Sequence, residues 1–327
     1  MTQRNHRAAL KPLWPWWGPD LQTVRSRIVG RRDPIPGATS RLEFPTSDNS
    51  GDRLVGTLHD PDLPKPLLIL LHGVAGCEDS IYLHQTAGHF VAQGFPVLRL
   101  NLRGAGMSAA TCSSSYHAGC GRDLHDVLRG LPGGLTRNGV FVVGFSMGGT
   151  VLLNALTSSV PTPHVLGAAT VSTPLCMVSS AQKLFSLRNR IYEKALLGDL
   201  IRQEKTLRHH NGLTDLSDLR GLRRIRAFDA AVTAPRHGFD GVEDYYRRTS
   251  VINRMHHTCV PILLVHSEDD PWIPAREYHE LGAQKLPNLT LRLTARGGHV
   301  GFHFQGSEHP WYLSQIQDFL QRLMLPA

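Results

Sequence analysis

The stretch that most constrains this chain is Val140–Thr150, VFVVGFSMGGT. Val140 to Val143 suit a buried strand, Val151 to Leu156 suit a helix, and between them lies Gly144-Phe145-Ser146-Met147-Gly148. A strand that becomes a helix in so few residues strains the backbone of the middle residue and leaves no room for a Cβ on either side. Such a turn is a nucleophile elbow. It lifts Oγ of Ser146 clear of a sheet, within reach of a histidine, and aims the next backbone N–H at the same point. The pentapeptide alone also occurs in ordinary glycine-rich turns, and it is the strand–turn–helix setting that favours the elbow.

The rest of the chain carries the rhythm an elbow needs. From Pro66 onward, apolar strands at 67–71, 96–100, 164–171, 261–266 and 289–293 alternate with helices at 80–93, 117–131, 276–286 and 311–324. That alternation predicts an α/β fold with a mostly parallel central sheet and helices on both faces. Before it, Arg41–Phe44 and Arg53–Leu58 read as an antiparallel pair joined by Asp48-Asn49-Ser50-Gly51. Residues 1–40 are rich in Pro, Trp and Arg without a clear period, and Trp14, Trp16 and Trp17 are expected to lay this arm against the body. The segment between the strands at 164–171 and 261–266 is too long for a plain crossover and predicts a helical cap. The domain organisation is thus an arm over 1–40, a core from 41–174 and 251–327, and a cap over 175–250.

Charge and cysteine usage narrow the function classes. The formal charge is +8, yet residues 181–226 hold eleven Lys and Arg against five Asp and Glu, so a local excess of +6 sits in the expected cap. No nucleic-acid-binding motif accompanies it, and no nucleic-acid partner is expected. The five cysteines (Cys77, Cys112, Cys120, Cys176, Cys259) are scattered, with no C-x-x-C, which favours free thiols over a disulfide framework or a zinc site. No run of about 18 apolar residues spans a bilayer. The N-terminus lacks the apolar centre and cleavage site of a signal peptide, so a cytoplasmic location is expected.

A serine elbow requires a base, a group that orients the base, and a second oxyanion donor, in the chain order Ser, acid, His. Most of the 18 histidines are expected on the surface or in packing roles. His299 differs because it follows the last strand, within Gly297-Gly298-His299-Val300-Gly301, where glycines allow a turn that swings an imidazole over the serine. The acid falls in Asp269-Asp270-Pro271, after the strand at 261–266. Asp270 is favoured, and only geometry separates it from Asp269. The backbone N–H groups of Val74 and Met147 are the expected oxyanion donors, with His72 a hydrogen-bonded scaffold. Cys77, just past that turn, reads as an inert thiol. This chemistry calls for no metal and no organic cofactor.

Further motifs extend the pattern: Leu21-Gln22-Thr23, Leu71-His72-Gly73 with Gly76, Asn101-Leu102-Arg103-Gly104, and Tyr116-His117-Ala118-Gly119. Thr233-Ala234-Pro235-Arg236-His237-Gly238-Phe239, Asp244-Tyr245-Tyr246 and Gly298-His299-Val300-Gly301-Phe302 follow. Over nearly its whole length the chain resembles the α/β-hydrolases, in particular the YheT-like branch of esterases and lipases (the abhydrolase-4 group). It departs from the branch at Ala118, where relatives often carry serine, and from eukaryotic relatives in having no N-terminal membrane segment. The resemblance implies hydrolysis of a small-molecule carboxylic ester by Ser146, Asp270 and His299. The alternatives are a lipid-directed hydrolase or acyltransferase whose basic cap contacts an anionic lipid surface and, more remotely, a non-catalytic basic binding module.

Overall fold

The structure, a computed structural model, describes residues 10–325. The arm expected over residues 1–40 is therefore described only from Leu10. Helix α1 (Gly18–Val29) precedes an antiparallel pair, β1 (Thr39–Pro45) and β2 (Arg53–His59). There follow β3 (Leu67–Leu71), α2 (Ile81–Val91), β4 (Val97–Leu100), α3 (Gly121–Gly130), the short α4 (Gly133–Thr136), β5 (Val140–Phe145), α5 (Met147–Leu156) and β6 (Val165–Val171). The sheet closes with β7 (Ile262–Ser267), α11 (Arg276–Gln284), β8 (Leu289–Thr294) and α12 (Trp311–Met324). Between β6 and β7 lie the inserted helices α6 (Met177–Leu184), α7 (Arg190–His210), α8 (Ile225–Phe228), α9 (Ala234–Arg236) and α10 (Val242–Thr249).

The strands form one sheet in the order β1-β2-β4-β3-β5-β6-β7-β8. β2 is antiparallel to both neighbours and every later pairing is parallel. The period-two alternation of a strand divides the apolar residues between two layers. Leu67, Ile69, Leu71, Val140 and Val142 face the layer built with α3, α5 and α11. Leu68, Leu70, Phe141 and Val143 face α2 and α12, where Tyr312, Leu313, Ile316 and Leu320 are buried on the helical stripe. Each such side chain contributes roughly 1.5–3 kcal/mol through burial. That accounts for strands that are apolar on both faces.

Three expectations change. The arm contains a helix, α1, whose one buried residue is Gln22, so no apolar stripe announced it. Trp14 and Trp17 are 68% and 58% exposed and do not anchor the arm; of the three tryptophans only Trp16 is half-buried, beneath the Arg25 guanidinium. The arm is held instead by polar bonds of Gln22 and by backbone pairing of Leu13 and Lys11 with His303 and Gln305. The helix expected from His117 begins at Gly121, because His117–Cys120 is a turn tied by Gly119 N–H to His117 Nδ1 at 3.1 Å.

The inserted helices carry their own apolar cluster of Leu196, Leu197, Leu219, Ile225, Phe228 and Val232, packed on Val74 and Trp272 of the core. Several of the basic side chains of this region are held in ion pairs. Arg188 meets Asp20, Arg202 meets Asp199, Arg208 meets Glu204 and Asp218, Arg224 meets Glu193, and Arg226 meets Glu243. Asp20 and Glu243 enter these pairs from outside the counted segment, but so do Arg27, on Asp199, and Arg236, on Glu204, so the local surplus is the same in space as in sequence. Among the described residues, no helix is long and apolar enough to cross a membrane.

Candidate active site

β5 delivers the elbow. Ser146 has φ 49° and ψ −125°, the strained conformation expected where strand turns into helix. α5 begins at once, at Met147 rather than a turn later. A Cβ on Gly148 would fall 2.3 Å from the His72 carbonyl oxygen, so the close approach of β3 and α5 demands glycine there. Ser146 N–H donates to Val171 O at 2.9 Å, which pins the turn to β6.

The structure brings the three expected side chains into one line. His299 Nε2 lies 3.0 Å from Ser146 Oγ, and His299 Nδ1 lies 2.9 Å from Asp270 Oδ2. All three residues are buried. Asp270 Oδ1 accepts from the N–H groups of Trp272 (2.8 Å) and Ile273 (3.0 Å). Burial opposes the charge of Asp270, but His299, His266 and the Ile273 N–H outweigh it and hold the carboxyl below the usual carboxylate range. An ionised Asp270 accepts a hydrogen bond from the Nδ1–H of His299, which keeps the proton on Nδ1 and leaves Nε2 free to accept from the serine hydroxyl. Asp269 is the neighbour that geometry sets apart: its Oδ1 accepts the Gly298 N–H at 2.9 Å and so holds the histidine loop.

That loop is fixed from several sides. Thr23 Oγ1 accepts the His299 N–H at 2.9 Å and donates to Pro19 O at 2.7 Å. Gln22 Nε2 donates to His303 O at 2.9 Å while its Oε1 accepts His303 N–H at 2.8 Å. Gly298 has φ +60°, and a Cβ there would meet Pro19 O at 2.4 Å, so α1 sits directly on the loop. Ser172 Oγ accepts Val300 N–H, and the Trp272 ring lies 4.2 Å from the His299 ring.

The turn after β3 faces the elbow. A Cβ on Gly73 would lie 3.0 Å from Ser146 Cβ. Tyr82 OH accepts the Gly73 N–H at 2.9 Å, and Tyr116 OH accepts the Ala75 N–H at 2.7 Å. Val74 N–H, between them, and Met147 N–H donate to no acceptor among the described residues. His72 is buried, with Nδ1 at 2.8 Å from Gly73 O and Nε2 accepting Leu102 N–H at 3.1 Å, and burial pushes its imidazole down to about 4. It is neutral scaffold. Burial likewise pushes the Cys77 thiol up. Among the described residues, no group of three or more His, Cys, Asp or Glu is arranged to hold a metal ion.

Two spaces meet at Ser146, Val74 and Trp272. One is a partly open chamber of about 120 Å³ under the inserted helices, lined largely by apolar side chains such as Met177, Leu184, Phe185 and Leu200. The other is a more polar groove of about 340 Å³ along α1, bordered by Thr23, Arg27, Arg32 and Asp199. The inserted helices are tied to both loops of the site. Lys183 Nζ donates to Asp270 O (2.7 Å) and Ile273 O (3.0 Å), Asn189 Nδ2 donates to Pro271 O (2.7 Å), and Gln203 Nε2 donates to Gly76 O (3.0 Å).

The mostly parallel sheet and the serine–histidine–aspartate line define an α/β-hydrolase, and the chain belongs to that family: its model, described as the alpha/beta hydrolase fold, matches residues 66–305. Among curated proteins the chain is 29% identical over 306 residues to the Escherichia coli protein named Putative esterase YheT, covering 92% of this chain and 89% of that one. It is 28% identical over 272 residues to a monoacylglycerol lipase of Saccharomyces cerevisiae, covering 80% of this chain and 60% of that longer one. Among solved structures, the Pyrococcus furiosus esterase Pf2001 superposes with a TM-score of 0.60 at 18% identity, over 89% of this chain and 92% of that one, a likeness of fold. The homologues are thus of esterase and lipase type.

Proposed function

We propose that the protein is a serine esterase that cleaves carboxylic esters of short to medium acyl chain. The observation that carries this reading is the continuous line Ser146 Oγ–His299 Nε2, His299 Nδ1–Asp270 Oδ2 at 3.0 and 2.9 Å. Ser146 Oγ attacks the ester carbonyl while His299 Nε2 takes its proton. The tetrahedral oxyanion is met by the two idle N–H groups of Val74 and Met147, and each such donor contributes about 10²–10³-fold to rate. As the intermediate collapses, the C–O bond breaks and His299 returns the proton to the leaving alcohol. Water, deprotonated by the same imidazole, then releases the acid. Asp270 keeps the imidazole in the productive tautomer and stabilises its charged form.

In this reading the acyl group enters the chamber and the alcohol leaves through the groove. A space of about 120 Å³ suits a group no larger than about a benzene ring. Each added methylene that fits contributes roughly 0.8 kcal/mol, or about fourfold. kcat/KM on p-nitrophenyl esters is therefore expected to climb from acetate to butyrate and to fall by decanoate. Ser146→Ala is expected to abolish turnover while the protein stays folded. Undiminished hydrolysis by that variant, or a rate that keeps climbing past decanoate, would overturn the reading.

A second reading, hydrolysis at an anionic lipid surface, draws on exposed apolar residues beside the groove. Trp17 just before α1 and Leu21 on it, and Leu187 just before α7 and Ile191 on it, flank the Asp20–Arg188 bridge and are 42% to 84% exposed. Activation by anionic vesicles that vanishes in high salt favours it. Indifference to vesicles leaves the soluble-ester reading.

A further inference from the structure

The chamber beside Ser146 has a wall feature that ester hydrolysis as such does not use. Two carboxyl groups line this largely apolar space, Glu204 and Asp229. Glu204 is compensated, because Arg208 and Arg236 both bind it. Asp229 is equally buried but forms no ion pair among the described residues. Its Oδ2 accepts Tyr246 OH at 2.6 Å and its Oδ1 accepts Thr233 Oγ1 at 2.8 Å. A carboxylate has about four acceptor sites, so two hydroxyls leave half of them unfilled. Burial pushes this carboxyl up to about 6. An uncompensated acid on an apolar wall is a cost to the fold that packing alone does not repay.

Its backbone setting is also unusual. Asp229–Thr233 is a turn of π-helix between α8 and α9. Pro235 follows and has no N–H to donate to Ala231, so a regular α-helical ladder cannot run through it. The widened turn still places Asp229 and Thr233 on one side, where the hydroxyl orients the carboxyl. Such turns recur at functional sites. A further polar group lines the same chamber: Ser180 Oγ is buried and has no hydrogen-bond partner among the described residues.

We propose that Asp229 is the polar anchor of a substrate subsite, accepting a hydrogen bond from a hydroxyl on the acyl group that fills the chamber, so that hydroxyacyl esters are the preferred substrates. An ammonium group would carry three N–H donors into a lining with few free acceptors, whereas a hydroxyl needs one. The hydroxyl oxygen is in turn an acceptor for a donor such as Ser180. The inference rests on the reading that Ser146 cleaves esters whose acyl group enters this chamber.

The test compares kcat/KM for p-nitrophenyl 3-hydroxybutyrate and p-nitrophenyl butyrate. Both esters use the same triad and leaving group, so their ratio reads the subsite alone. Wild type is expected to favour the hydroxy ester by about tenfold or more, the scale of one hydrogen bond to a charged group. In Asp229→Leu the ratio is expected to collapse to about one. If that variant does not fold, Asp229→Asn, of the same shape, is expected to lower the ratio at least about threefold. A wild-type ratio near one, or a ratio that survives either substitution because both esters lose rate equally, overturns the subsite. Wild type that cleaves the butyrate ester without preference removes the subsite alone; wild type that cleaves neither ester removes the esterase reading and the subsite with it.

Discussion

At the scale of single residues, the site is a chain of hydrogen bonds in which each member fixes the next. Asp270→Asn replaces an acceptor that sets the His299 tautomer with a group that can donate. kcat is expected to fall by about 10⁴ with little change in KM, measured on p-nitrophenyl butyrate. A loss below about tenfold would mean that Asp270 does not orient the base. Thr23 acts one step back, since its Oγ1 holds the His299 N–H. Thr23→Val keeps the shape and loses that acceptor, so kcat is expected to fall several-fold while Thr23→Ser retains most of it. Unchanged kcat in the valine variant would contradict the positioning role, because a neutral hydrogen bond is worth about 1 kcal/mol. Ser146 and His299 were legible because strained turns leave glycines in the sequence. Asp270 could be separated from Asp269 only in space: one side chain turns to the imidazole and the other to Gly298 N–H. Thr23 stood in a motif, but its partner lies far along the chain, and no local pattern records such a bond.

At the scale of elements, the sheet and its flanking helices could be read because buried strands and amphipathic helices repeat with fixed periods. α1 could not, since its contact with the body is polar and its one buried side chain is Gln22. The helix serves the histidine loop rather than the core. Gln22→Leu removes two donors and an acceptor at a buried position, and a drop in stability of about 2–3 kcal/mol together with lower kcat is expected. Denaturant melts and kinetics on the same preparation check this; lost stability with unchanged kcat would make α1 a mere brace. The inserted helices are a second case. Their position between β6 and β7 followed from length, but their ties to the acid loop through Lys183 did not. Lys183→Met is expected to lower kcat more than it raises KM, because Nζ holds the Asp270 and Ile273 carbonyls in place. An effect on KM alone would point to the chamber lining instead.

At the scale of the whole molecule, buried and half-buried histidines set the response to acid. Burial pushes His59, His72, His237 and His266 down to about 4, and His117 and His303 down to about 3. In the unfolded chain these groups titrate near 6.5. Folded pKa values below the unfolded ones give a contribution that is complete above about pH 6.5 and is lost as pH falls through the folded values. For a fully buried imidazole, lowering the pKa by one corresponds to roughly 1.4 kcal/mol. The urea midpoint is therefore expected to be level from pH 8 to 7 and to drop steeply between pH 6 and 4; a flat profile there would contradict neutral burial. The basic surplus read along the chain stays with the insertion in space, because Asp20 and Glu243 neutralise Arg188 and Arg226 while Arg27 and Arg236 in turn take up Asp199 and Glu204.

The measurement that tests the central claim most directly is site mapping with a fluorophosphonate, which reacts preferentially with an activated serine. The intact protein is expected to gain one adduct per chain, and peptide mass spectrometry is expected to place it on Ser146. The adduct should be absent from Ser146→Ala and form far more slowly in His299→Ala. An unlabelled wild-type protein, or an adduct on another residue, would contradict an activated Ser146.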